Sequence, residues 1–262
     1  MQKKHNNSNG QSVYEYVHSV IVNKIEKETV EKKINVMIMI LDSVSASSFK
    51  RSLAKTYEFL NKMENFFLFE KHHVVGTNTF ENIIPMLTNR KSTDITNQKS
   101  SDRIDKPFDD VDFIWKNYSQ NGYLTYFSEE WREAAFNNLK FGFRKSPTDY
   151  YLRHYWLALY DSLSYAPTNL NSNSIPCYYD KLLHHLTLDW ANEFYRVYTT
   201  HTPSFGILKM NEMSHDYLER LEWIDNDLLS FFKRLFQQDF LEKTLVIFIF
   251  FFFFLLHDLT IR

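Results

Sequence analysis

An α/β domain built on a mostly parallel, helix-covered sheet is the fold predicted by the sequence, on three observations. Asn35-Val36-Met37-Ile38-Met39-Ile40-Leu41 is a nearly unbroken apolar run. A strand buried on both faces of a parallel sheet has that composition. Short apolar runs then alternate with helical periodicity along the chain, the pattern of repeated β–α units. Asp42, Thr79 and the segment before His215 each fall just after a predicted strand. Ligands of open α/β sheets sit beyond those carboxyl ends.

The elements follow in order. Val13, Val17, Val20, Ile21 and Ile25 recur at helical spacing and predict an amphipathic helix over 11–29. After the first strand and Asp42-Ser43, a stretch rich in Lys, Leu and Phe predicts a helix to about Glu64. Phe66 to Val75 has the pattern of a second strand, closed by Gly76, with a helical turn from Phe80 to Leu87. Asp110 to Gln120 predicts a helix with Gly122 at its C-terminal cap. Tyr123 to Phe127 is a third strand. Residues 140–176 are aromatic and turn-rich, as an insertion or rim would be. Tyr178 to Tyr198 is helical, Ser204 to Met210 a strand, and Ser214 the N-cap of a long helix. Thr244 begins the last strand.

The chain has 262 residues and 44% hydrophobic content, enough for one sizeable core. A net charge of −2 and the lack of a basic stripe point away from nucleic acid. Cys177 is the single cysteine, so an intrachain disulfide and a Cys-rich zinc motif are both excluded. The polar stretch 1–11 has no apolar segment of signal-peptide type and is expected to be a disordered tail. Leu245 to Leu256 is an unbroken apolar run dominated by Phe. As a helix it would span roughly 18 Å, against the ~30 Å hydrocarbon core of a bilayer. It is a strand that runs on, a membrane anchor, or a true strand leading into non-native sequence.

Each candidate for chemistry has a plain structural alternative. Asp42 is a metal ligand, since hard oxygens suit divalent cations, or the N-cap of the next helix. Thr79 offers a hydroxyl at a helix N-terminus, a natural seat for phosphate or sulfate, and metal ligation would make it a nucleophile. Otherwise it is a capping threonine. His215 is a metal ligand, with Asp216 complementing a helix dipole, or both serve capping only. His72-His73 and His184-His185 show no second ligand at metal spacing and are expected as surface or core histidines. Glu129 and Glu130 are expected as solvated charges near a rim. No nucleophile-elbow or phosphate-loop glycine motif is present.

Together these segments resemble a known family. Val36 to Ser45, followed by Thr56-Tyr57-Glu58-Phe59-Leu60, is similar to the opening of the animal family catalogued as domain of unknown function 229. Val75-Gly76-Thr77-Asn78-Thr79-Phe80-Glu81-Asn82 is similar to its next block. Pro147-Thr148-Asp149-Tyr150-Tyr151, Cys177, Ser214-His215-Asp216 with Asp225, and Tyr14 to His18 fit further blocks. The resemblance covers about residues 12–248. It implies an alkaline-phosphatase-like fold, shared with sulfatases and phosphodiesterases, incomplete here at the C-terminus, with 249–262 as an aberrant tail. It also implies a phosphate or sulfate ester substrate, a divalent metal (zinc in the intact family), and an extracellular or secretory setting. In that setting the sequon Asn117-Tyr118-Ser119 acquires meaning. By position Asp42, Thr79 and His215 match metal ligands. Thr79 also matches the nucleophile, and Asn82 an oxyanion-stabilising residue.

The departures are as informative. Asn211 stands where the phosphodiesterase branch has an Asp four residues before the His. The strand Leu245-Val246-Ile247-Phe248 leads into phenylalanines where the family has Ser-Asp-His-Gly, and His257-Asp258 has the opposite order. Two metals about 4 Å apart need more ligands than Asp42, Thr79 and His215. The expected chain is therefore a metallohydrolase fragment, inactive as written. The alternatives are a non-catalytic anion-binding protein and a protein associated with membrane through 245–256.

Overall fold

The computed structural model describes residues 2–6, 12–22, 33–69, 71–96, 106–162, 176–198, 202–237 and 243–251. Its strands are β1 Gln2–Asn6, β2 Ser12–Val17, β3 Asn35–Asp42, β4 Leu124–Glu129, β5 Tyr150–Tyr151, β6 Cys177–Tyr178, β7 Lys181–Leu182, β8 Ser204–Met210 and β9 Thr244–Phe251. Its α-helices are α1 Ala46–Ser52, α2 Ala54–Asn61, α3 Thr79–Thr88, α4 Ser92–Thr96, α5 Ile114–Gln120, α6 Arg153–Tyr160, α7 Leu183–Tyr198 and α8 Asp225–Gln237. A 3₁₀ segment, Leu218–Ile224, precedes α8.

The central sheet has the order β5-β4-β8-β3-β9, and every pairing in it is parallel. β3 lies inside the sheet and all eight of its residues are buried, as its unbroken apolar run requires. Strand alternation divides the core in two. Met37, Met39 and Leu41 join Leu208, Met210, Tyr126 and the apolar stripes of α7 and α8 on one face. Val36, Ile38 and Ile40 join Phe205, Ile207, Phe127 and α3 on the other. Gly206 is required by the first face: a Cβ there would lie 1.9–2.2 Å from ring atoms of Tyr126.

Several expectations are corrected. Val13 to Val17, predicted helical, is β2, paired antiparallel with β1, which occupies part of the stretch expected as a disordered tail. The branched Val residues and aromatics of Ser12–Val17 suit a strand, and their helical spacing is coincidental. Residues 23–29 lie outside the described residues. The described residues of Phe66 to Val75 form no strand; Phe67, Phe69 and Val75 are strongly exposed, so no sheet neighbour rewards extension. The Lys/Leu/Phe-rich helix is broken at Leu53 into α1 and α2. Asp225 caps the second piece from across the chain, its carboxylate accepting from the backbone N–H groups of Lys55 and Thr56 at 3.0 and 2.9 Å. The long helix predicted from Ser214 begins only at Asp225, after the 3₁₀ segment. The apolar run from Thr244 is an edge strand through Phe251, crossing the expected boundary at 248; residues 252–262 lie outside the described residues. No helix among the described residues is long and apolar enough to cross a membrane.

Candidate active site

Parity and register assemble the centre. On the α3 face of the sheet, β3 runs Val36, Ile38, Ile40 and then Asp42; β8 runs Phe205, Ile207 and then Lys209; β4 presents Phe127 and then Glu129. Lys209 is registered against Ile40 on one side and Glu129 on the other. The last residue of each row is charged and lies at the carboxyl end of its strand. Asp42, Lys209 and Glu129 therefore converge where a ligand site of an open α/β sheet belongs.

Lys209 is 1% exposed and its ammonium donates to three oxygens. Nζ lies 2.5 Å from Asp42 Oδ2, 3.2 Å from Glu129 Oε1, and in hydrogen-bond contact with Asn211 Oδ1. An ammonium has three donors, so all are used. Burial pulls the Lys209 pKa down, but the Asp42 and Glu129 charges outweigh it and hold the ammonium firmly protonated.

Thr79 comes to the same point from above. Asn78, not Thr79, is the cap of α3: its side chain accepts from the Glu81 backbone N–H at 3.1 Å. Thr79 is thereby the first helical residue and its hydroxyl is free of capping duty. It donates to the Asp42 carboxylate, 3.1 Å from Oδ2 and 3.3 Å from Oδ1. Oδ1 also accepts from the Ser43 N–H at 3.0 Å. Ser214 Oγ donates to the Asp42 backbone carbonyl at 2.6 Å, which fixes the loop carrying His215 against the strand end.

Asn82 has a different role from the one its position implied. Its Oδ1 accepts from the N–H groups of Val75 and Gly76, and its Nδ2 donates to the carbonyls of Gly76 and Asn78. Both amide hydrogens are committed to shaping the loop before α3, so Asn82 positions Thr79 and has none left for an oxyanion. Gly76 is needed in that loop, because a Cβ would meet Glu81 Cβ at 2.2 Å. His215 donates from Nδ1 to Asp216 Oδ1 at 2.7 Å and packs beside the Trp131 ring. Its pKa is raised, chiefly by that Asp216 contact.

Glu129 and Glu130, expected as solvated rim charges, are 4% and 0% exposed. Glu130 accepts from the Thr187 hydroxyl at 2.7 Å and the backbone N–H groups of Asn211 and Glu212 at 2.9 and 3.1 Å. Burial nonetheless raises its pKa. Glu212, bonded to the Tyr160 hydroxyl, is pushed up to about 8, first by burial and then by the nearby charges of Glu130 and Asp216, against the opposing pull of Arg220. A carboxyl raised from an ordinary 4.5 binds its proton more tightly in the folded chain, so its contribution is complete below that value. Stability is then lost as pH climbs towards about 8, at up to about 1.4 kcal/mol per pH unit. Thermal melts between those limits should flatten in Glu212→Gln; an unchanged slope would remove Glu212 from the account.

Lys209 was not anticipated from the sequence. Its signal, a lone charge inside the otherwise apolar run Phe205 to Met210, is visible in the chain, but the partner acids emerge only from the register.

A divalent metal at this centre can be tested against the donor set. Both oxygens of Asp42 are occupied, one by the Lys209 ammonium. Among the described residues, the one group of three His, Cys, Asp or Glu side chains close enough to share an ion is His184, His185 and Asp227, not this centre. The Lys209 ammonium thus holds the position on Asp42 Oδ2 that a metal ion would need.

Comparison with known proteins gives three findings. No curated protein matches the chain. Among solved structures, the lipoteichoic acid synthase LtaP from Listeria monocytogenes is similar at 14% identity and a TM-score of 0.49. That match covers 83% of this chain and 56% of LtaP, so the chain spans little more than half of that neighbour. The family model described as "Protein of unknown function (DUF229)" matches residues 1–250, and the chain belongs to that family.

Proposed function

We propose that the centre formed by Asp42, Thr79 and Lys209 is a phosphate- or sulfate-ester site of the alkaline-phosphatase-like type, and that it does not turn over as a metallohydrolase in this chain. The observation that carries this reading is the Lys209 ammonium, 2.5 Å from Asp42 Oδ2 and 3.2 Å from Glu129 Oε1. It supplies one positive charge where the resemblance calls for metal. What the chain's own residues retain is an uncapped hydroxyl on a carboxylate at the start of α3, where helix N–H groups favour an anion. The hydroxyl and the Asn82-braced loop orient an ester. Zinc, the secretory setting and the ester substrate all belong to the intact-family reading.

The test is hydrolysis of bis-p-nitrophenyl phosphate and p-nitrophenyl sulfate by the pure chain with added Zn²⁺, Mn²⁺, Mg²⁺ or Ca²⁺. Equal background rates are expected for the wild type and Thr79→Ala. Metal-dependent turnover that disappears in Thr79→Ala would show a working metal centre and overturn the proposal. A non-catalytic role in binding is favoured by the same ion pair, and sulfate or phosphate protection of Thr79-region amides from hydrogen exchange would support it.

A further inference from the structure

We propose that His184, His185 and Asp227 form a site for one divalent transition-metal ion of the zinc class, separate from the ester centre. The histidines lie on the first turn of α7, and Asp227 lies on the first turn of α8. His184 is a buried, hydrogen-bonded histidine and His185 a partly exposed one, as expected, but Asp227 supplies the further ligand that their sequence spacing did not show. On a helix, unlike a strand, neighbouring side chains need not point to opposite faces.

His184 Nε2 is 2.8 Å from Asp227 Oδ2, and His185 Nε2 is 3.0 Å from the same oxygen. The three ligand atoms all lie within 4.8 Å of one another. Zinc takes imidazole nitrogen and carboxylate oxygen at about 2.0–2.2 Å, which places tetrahedral ligand atoms roughly 3.3 Å apart. Both Nε2 atoms converge on Asp227 Oδ2, which would draw back by a few tenths of an ångström to admit the ion.

Two imidazoles and one carboxylate suit Zn²⁺, Co²⁺ or Ni²⁺ and not Mg²⁺ or Ca²⁺, which prefer all-oxygen shells. His184 is closed off at 0% side-chain exposure, while His185 and Asp227 at 36% and 31% leave a solvent side for entry and a water ligand. Thr187, on the next turn of α7, bonds Glu130, so a bound ion would brace α7 against the end of β4.

The test is titration of the full chain, carrying no polyhistidine tag, with Co²⁺ near neutral pH. Binding of one Co²⁺ per chain with visible d–d bands, displaced by Zn²⁺, is expected. Loss of an outer-shell partner alone weakens metal sites roughly 10–100-fold, so His185→Ala and Asp227→Asn should each weaken binding by at least that much. His185 is partly exposed, so its removal leaves a folded chain by circular dichroism. Asp42→Asn should leave the Co²⁺ bands unchanged. Absence of bands in the wild type, retention of full affinity in either cluster variant, or loss of the bands in folded Asp42→Asn would each overturn the site.

Discussion

Lys209→Met should destabilise the chain by about 3–5 kcal/mol, the cost of leaving buried charge without its partner. The ammonium is the shared partner of Asp42 and Glu129, which are 1% and 4% exposed. Methionine fills similar volume, so the loss measures charge and not a cavity. Urea denaturation near neutral pH provides the value. The deficit should shrink in acid, where the stranded carboxylates take up protons and cease to be buried charges. Mg²⁺ or Ca²⁺ should recover part of it, because the emptied position is ringed by hard oxygens. A loss below about 1 kcal/mol, the value of an exposed ion pair, would mean that the three groups are solvated and the centre is not as described.

Phe136→Ala should cost about 3–5 kcal/mol, the upper range for truncating a buried aromatic. Phe136 is 0% exposed and meets the rings of Phe80, Phe108, Phe113, Trp115, Phe127 and Phe143 at centroid distances of 5.2–6.3 Å. Phe80 follows Thr79 directly on α3, so this cluster also seats the hydroxyl over Asp42. Thermal unfolding checks the magnitude. Amide exchange at Thr79 and Phe80 should rise more than at Met37 and Met39 on the opposite face of the sheet. Uniform acceleration would show that the cluster contributes to global stability but does not locate α3.

The parts of the fold legible in the sequence were those whose burial is two-sided. β3 and β8 read correctly because both faces are covered, leaving an apolar run with no polar interruption except Lys209. β2 reads as helix from the sequence because Val13 and Val17, four residues apart, match one face of an amphipathic helix turn. The false strand at Phe66 to Val75 shows the converse: apolar and β-branched composition without a neighbour does not make a strand. At the site, Asp42 and Thr79 were legible because each follows a strand end or opens a helix. Glu129 and Lys209 were not, because their meaning depends on which strands lie side by side. Sequence order gives β3, β4, β8, whereas the sheet places β8 between the other two. Asn82 was assigned to the ligand by position; its hydrogen bonds to the backbone of Val75, Gly76 and Asn78 are set by the loop's fold, which no spacing reveals.

In the proposed centre an internal ammonium takes the place of a metal beside Asp42. Anomalous diffraction from crystals of the full chain soaked in Mn²⁺ tests it most directly. No anomalous density is expected on the Asp42 carboxylate, with Lys209 Nζ still bonded between Asp42 and Glu129. A Mn²⁺ peak coordinated by Asp42 and Thr79, with Lys209 displaced, would contradict it and restore a metal-dependent ester chemistry to this centre.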